Sequence, residues 1–146
     1  MFKKALGSSV IVFLIVFGTI CSSYTAETYN LNGDWDAVIT KIGAESSTRV
    51  LEENDVIKIS QKGTQFVGTR TIGGKLIGKN EEMIKGKLSY KMVDEVFIRY
   101  VSDPTTFDLS WIDGRATIIE EGSKIIIQSY IESTGYYETV TLTRKP

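Results

Sequence analysis

Four acidic clusters are the places where this chain could move a proton or hold a cation: Glu52-Glu53 with Asp55, Glu81-Glu82, Asp94-Glu95 and Glu120-Glu121. An acid/base couple needs two carboxyls facing one reacting group across a gap. Adjacent residues of a strand point to opposite faces, so no neighbouring pair makes that couple by itself. Each cluster is expected at a solvated turn. Glu52-Glu53-Asn54-Asp55 offers oxygens for Ca²⁺ but lacks the ligand spacing of a calcium loop. The chain has no histidine, which excludes His-ligated metals and His-based triads. Its single cysteine, Cys21, lies beside the apolar N-terminal stretch and leaves no thiolate chemistry to the rest. The glycine-rich run Gly68-Thr69-Arg70-Thr71-Ile72-Gly73-Gly74-Lys75-Leu76 lacks both the spacing of a phosphate-binding loop and the hydroxyl after its lysine, and is expected to be a hairpin. No catalytic residue, metal or cofactor is therefore expected.

Aromatic and arginine side chains offer binding chemistry instead. In a strand, Val96, Ile98 and Tyr100 share one face while Phe97, Arg99 and Val101 share the other. Phe107, Leu109 and Trp111 share a face of the next strand, and Tyr130 alternates with Ile126 and Gln128. Tyr100, Trp111, Tyr130, Arg70 and Arg99 are the candidate ligand-binding residues. An inward arginine would suit an anionic ligand. Two arrangements stay open: these residues line a lumen, or they fill a solid core.

The elements that must position them are strands. Ile84, Gly86, Leu88, Tyr90 and Met92 alternate with Lys85, Lys87, Ser89 and Lys91, the period of a strand with one wet face. Further strands are expected over 55–61, 65–72, 96–101, 107–112, 124–132 and 136–144, with glycine-bearing turns between most of them. Pro104 falls in the loop before Phe107. Asp113-Gly114 is the strongest hairpin signal, since such a turn needs positive φ. Ile59-x3-Gly63-Thr64-x-Phe66 and Ile118-x3-Gly122-Ser123-x-Ile125 share a pattern, expected of two hairpins with the same turn chemistry. The polar stretch Ala44–Glu53 admits a helical turn, a loop or a short strand from Thr48. No stretch has a helical period. The fold class is all-β: a single antiparallel meander of about eight or nine strands, which hides its edges by closing into a small barrel.

The 146-residue chain leaves room for one domain once a leader is removed. Lys3 and Lys4 precede an unbroken apolar run, Val10–Phe17, and small or polar residues follow at Cys21, Ser22 and Ser23. That is a signal peptide over 1–26, cleaved near 21–26, with the barrel domain over 27–146. Cleavage after Ser23 satisfies the small-residue rule. Lipidation at Cys21 is the alternative, with bulky Ile20 against it, and only then would the protein meet a membrane. Without the leader, 15 basic residues face 18 acidic ones, a net charge of −3, which does not favour nucleic acid. The expected location is exported: periplasm, cell envelope or extracellular space.

Leu31-x-Gly33-x-Trp35, Ile59-x3-Gly63-x2-Phe66-x-Gly68 and Arg144 together resemble the calycin group of lipocalins, avidins and small bacterial lipocalin-like domains. The resemblance implies a lipocalin-like barrel in which Gly33 opens the first strand and Trp35 closes one end, packed by Arg144 from the last strand. It does not bring a biotin site, since Trp35 and Trp111 are the only tryptophans. The expected function is non-catalytic: binding of a small apolar or amphiphilic ligand, for which Trp111→Ala and Tyr130→Ala should abolish uptake of a hydrophobic probe. The alternative is a filled barrel acting as an envelope or protein-interaction module through Ala44–Asp55 and Ser102–Thr106.

Overall fold

A computed structural model describes residues 28–43, 50–75, 77–103, 105–132 and 135–146. The expected signal peptide with Cys21, the stretch 44–49 and Pro104 lie outside the described residues. Eight strands follow one another: β1 (Gly33–Gly43), β2 (Val50–Lys62), β3 (Gln65–Arg70), β4 (Glu82–Ser89), β5 (Met92–Asp103), β6 (Asp108–Ile119), β7 (Lys124–Ile131) and β8 (Tyr136–Arg144). Each pairs antiparallel with the next, and β8 returns to β1, so the meander closes into a barrel. This all-β architecture is compatible with a calycin-like fold.

Period-two burial builds the wall. In β7, Ile125, Ile127, Ser129 and Ile131 are buried, whereas Gln128 and Tyr130 face solvent. Register then stacks the inward residues in rows. Ala37, Leu142 and Ile125 form one row, Ile39, Val140 and Ile127 the next, and Lys41, Glu138 and Ser129 the third. The interior therefore changes from apolar to polar on passing from the Trp35 end to the opposite mouth. One close approach is built in between β3 and β4. Gly86 is paired with Phe66, and a Cβ on Gly86 would stand 2.3 Å from the Glu95 carbonyl oxygen and 2.6 Å from the Phe66 ring.

The Trp35 end is sealed. Gly33 enters β1 at φ +126°, in the region that favours glycine. Trp35 is fully buried, and its Nε1 donates to the Leu31 carbonyl at 2.9 Å. The Arg144 guanidinium lies 4.6 Å from the Trp35 ring centroid. It also donates to the carbonyls of Asn32, at 3.0 Å, and Asn30. Gln61 accepts from the Leu31 amide at 2.7 Å and donates to the Tyr29 carbonyl at 3.1 Å. Residues 29–32 thus cross the barrel end as a strap held by β2 and β8.

Three local expectations are corrected. The alternating stretch Ile84–Met92 is not one strand. Tyr90 adopts φ 56° and turns the chain between β4 and β5, leaving Tyr90 and Met92 exposed while Leu88 stays buried. Asp113-Gly114 is not a hairpin but continues through β6, with Gly114 paired to Val96. The tolerance of Gly114 for positive φ is unused there, and the neighbouring reversal falls near Phe107, which has φ 60°. The run after Arg70 is a broad loop over 71–81 rather than a tight hairpin, and Leu76 in it lies outside the described residues. The two similar Ile-x3-Gly segments are both β reversals. One is a short turn at Gly63 and the other passes through a 3₁₀ turn, Glu120–Gly122.

Candidate ligand site at the barrel mouth

The polar rows at the open end come from strands whose apolar alternation ends in a charged residue. Asp55 precedes Ile57 and Ile59 on the inner face of β2, and Glu138 precedes Val140 and Leu142 on β8. Arg70 ends β3 on the same inner side, paired with Ile57. Its Nε donates to Asp55 Oδ2 at 2.5 Å, and its Nη2 donates to Glu53 Oε1. Asp55 also accepts from the amides of Val56 at 2.6 Å, Ile72 at 3.1 Å and Gly73 at 3.2 Å. Burial by itself would raise the Asp55 carboxyl. The hydrogen bonds from Arg70, Ile72 and Val56, with the charge of Arg70, outweigh it and hold the group below its ordinary value. Burial opposes the charge on Arg70 in the same way, and the two carboxylates keep it fully protonated.

This network fastens the β3–β4 loop over the mouth. The Thr71 amide donates to the Val56 carbonyl, the Gly74 amide to Ile77, and the Asn80 amide back to Arg70. Ile77 is thereby buried above the lumen. Beneath the loop lies a cavity of about 560 Å³, within the range of small-molecule sites. Its apolar wall includes Ile39, Leu51, Ile77, Met83, Tyr100 and Val101. Its polar lining includes Lys41, Glu53, Arg70, Lys75 and Glu138.

Glu138 stands apart from the satisfied Arg70 network. It is 1% exposed, and its Oε2 has no hydrogen-bond partner among the described residues. The nearest cation, Lys41 Nζ, is 4.0 Å from that oxygen. Burial pushes the Glu138 carboxyl above its ordinary value; Lys41 and Arg70 partly offset this, and Glu53 adds to it. Ser129, its cross-strand neighbour, is likewise buried with an unpartnered Oγ. Buried polar atoms of this kind are uncommon in native folds and mark places where a partner binds or strain is held.

Tyr100 and Arg70, two of the residues singled out on sequence, border the cavity. Arg70 is already engaged by two carboxylates, so an anionic ligand would compete with Asp55 and Glu53. Trp111 and Arg99 face outward instead, because Arg99 pairs with Trp111 while the adjacent Ile98–Ile112 pair faces the core. On that outer surface Lys85 Nζ sits 4.3 Å from the Trp111 ring centroid. Tyr130 is also outside, with its ring centroid 4.8 Å from that of Tyr137. The lumen therefore takes one of the three aromatic candidates.

The acidic groups are also redistributed. Glu52, Glu53 and Asp55 belong to β2 rather than a turn, and Glu120-Glu121 occupies the 3₁₀ turn. Among the described residues, no group of three or more His, Cys, Asp or Glu side chains is arranged to hold a metal ion. Asp103 caps the turn after β5 by accepting from the Thr105 amide at 2.7 Å. Neither a scan against protein-family models nor a search of the curated proteins finds a match to this sequence.

Proposed function

We propose that the protein is an exported, non-catalytic binder of a small amphiphilic molecule, with a lipocalin-like barrel as its scaffold and the mouth cavity as its site. The observation that carries this reading is Glu138. A buried carboxyl oxygen lacking a donor costs about 1–3 kcal/mol, and Glu138 lines a cavity that has both an apolar and a charged side. A ligand with an apolar body and one hydrogen-bonding end would fill the wall and partner Glu138 and Lys41. Glu53 and Glu138 both border the cavity, as a two-carboxylate enzyme would require. Glu53 is committed to Arg70, which withdraws it from proton transfer and favours binding over catalysis.

Titration with an environment-sensitive amphiphilic fluorophore, apolar but for one hydrogen-bonding end, tests the reading. Tyr100→Ala and Glu138→Leu should each weaken or displace the probe. Trp111→Ala and Tyr130→Ala, expected on sequence to abolish uptake, should now leave it intact. Probe binding that is lost in the outer-face variants and kept in the mouth variants would contradict the mouth as the site.

A further inference from the structure

A second cavity lies in the wall where the β6–β7 pairing ends. The ladder between these strands runs from Arg115–Gln128 to Ile119–Lys124. Above Arg115, β6 follows β5, with Gly114 opposite Val96 and Asp113 opposite Phe97, while β7 continues along β8 to Ile131. The strands part there and leave a lateral cavity of about 560 Å³. Its inner end reaches Ser129 and Glu138, and its outer rim carries Tyr130 and Tyr137. Both tyrosines are well exposed, at 44% and 57%, and lie against each other with ring planes 40° apart.

Among the described residues, the two inner groups are the buried side-chain polar atoms without a partner: Ser129 Oγ, in a residue 7% exposed, and Glu138 Oε2. They are neighbours across the β7–β8 ladder and border the same opening. The rim charges are of opposite sign, Asp113 and Arg115. A cationic ligand reaching Glu138 would meet Lys41, whose Nζ lies 4.0 Å from the same oxygen. An anionic ligand would meet Asp113 at the rim. With Asp113 and Arg115 at the rim and Lys41 beside Glu138, neither sign of charge is favoured, and a neutral molecule fits. The aromatic pair selects one with an apolar ring face, and the inner groups select one that carries hydroxyls able both to donate and to accept.

We infer that this lateral opening is a ligand site for a neutral, hydroxyl-rich ring, the chemistry of a saccharide, stacked on Tyr130 and Tyr137 and hydrogen-bonded to Ser129 and Glu138. The opening shares Glu138 with the mouth cavity, but the inference stands on the gap between β6 and β7 and on the tyrosine pair, not on the amphiphile reading.

The test is an NMR titration of the full chain with maltose, cellobiose and chitobiose in turn, with choline and acetate as charged controls. At least one disaccharide should shift the amide signals of Ser129, Tyr130, Tyr137 and Thr139. Tyr137→Ala should weaken that binding by about tenfold, as loss of an aromatic platform implies. Tyr137→Phe should retain most of it, and Ser129→Ala should weaken it while the fold, read from the remaining spectrum, is kept. Because Tyr137 is exposed, its variants are expected to fold. The inference is overturned if none of the sugars moves these signals, if shifts map only to the mouth, if Tyr137→Ala binds as well as the parent, or if choline or acetate binds the opening more tightly than every sugar.

Discussion

Lys41 and Glu138 face each other across the β1–β8 ladder with Nζ 4.0 Å from Oε2, too far apart for a hydrogen bond. Lys41 is partly exposed at the mouth while the Glu138 side chain is buried. The pair therefore leaves the burial cost of the carboxylate largely uncompensated.

That relationship sets a pH dependence. The folded state holds the Glu138 proton more tightly than the unfolded chain, whose carboxyl has its ordinary value of 4.5. Between that value and the higher folded one, the folded state binds more protons, so stability falls as pH rises through the interval. Below 4.5 this penalty is absent; above the folded value it is fully present. Glu138→Gln removes the titration. Urea denaturation across mildly acidic to neutral pH should show Glu138→Gln gaining stability relative to the parent as pH rises. A difference that is flat in pH would mean that Glu138 titrates normally.

The Arg70–Asp55 pair predicts the opposite behaviour. Asp55 is held below its ordinary value of 3.8, so its contribution is present above 3.8 and is lost as pH falls through the lower folded value. Removing only the cation with Arg70→Met leaves a buried carboxylate supported by backbone amides alone. Loss of one partner from such a buried pair costs about 3–5 kcal/mol. In a double-mutant cycle, adding Asp55→Leu to Arg70→Met should recover part of that loss, because no buried charge then remains unpaired; Glu53, which also loses Arg70, is 47% exposed. Equal and additive losses would show that the two side chains act independently. Since Ile72 and Gly73 bond to the same carboxylate, hydrogen exchange in the 71–81 loop should rise in both single variants.

Much of the barrel was legible because the apolar alternation of strands such as β7 and β8 follows directly from a sheet with one dry face. The bounds expected for the last strand, 136–144, are those observed. The turns were harder to read. Asp113-Gly114 has turn chemistry, yet its cross-strand partners Phe97 and Val96 keep it extended. Tyr90, with no turn preference of its own, takes φ 56° because the chain must reverse between Ser89 and Met92. The site was legible in part. Tyr100 and Arg70 could be placed by parity, but Asp55 and Glu138 were not recognised as interior groups. Their signal was present: each extends an inner apolar row, Asp55-Ile57-Ile59 and Glu138-Val140-Leu142. Composition argues for solvent, register argues for the core, and register prevails. Trp111 was expected inside, in a lumen or a filled core, whereas Ile112 is the inward member of that dipeptide.

Arg144→Lys should loosen the closed end. A lysine retains the charge but loses the planar contact with Trp35 and the forked donation to Asn30 and Asn32. The expected cost is about 1–2 kcal/mol, that of a partly exposed cation–π contact with its attendant hydrogen bonds. Exchange at the Leu31 and Asn32 amides should rise more than exchange at Ile127, in the middle of β7. Uniform acceleration along the chain would show that Arg144 supports the whole barrel and not the strap.

Gly86→Ala tests the close approach between β3, β4 and β5. A methyl group there would stand 2.3 Å from the Glu95 carbonyl oxygen and 2.6 Å from Phe66 Cζ. The Phe66 ring can turn, but the carbonyl belongs to the β4–β5 ladder and cannot move without breaking pairing. Overpacking of this sort costs about 1–3 kcal/mol. Phe66→Leu, combined with Gly86→Ala, removes the ring contact and leaves the backbone contact. The double variant should therefore recover only part of the loss beyond the cost of Phe66→Leu alone, measured by thermal and urea unfolding. Complete recovery would place the whole strain on the ring; no recovery would place it on the carbonyl and predict a local shift at Glu95 in the amide spectrum.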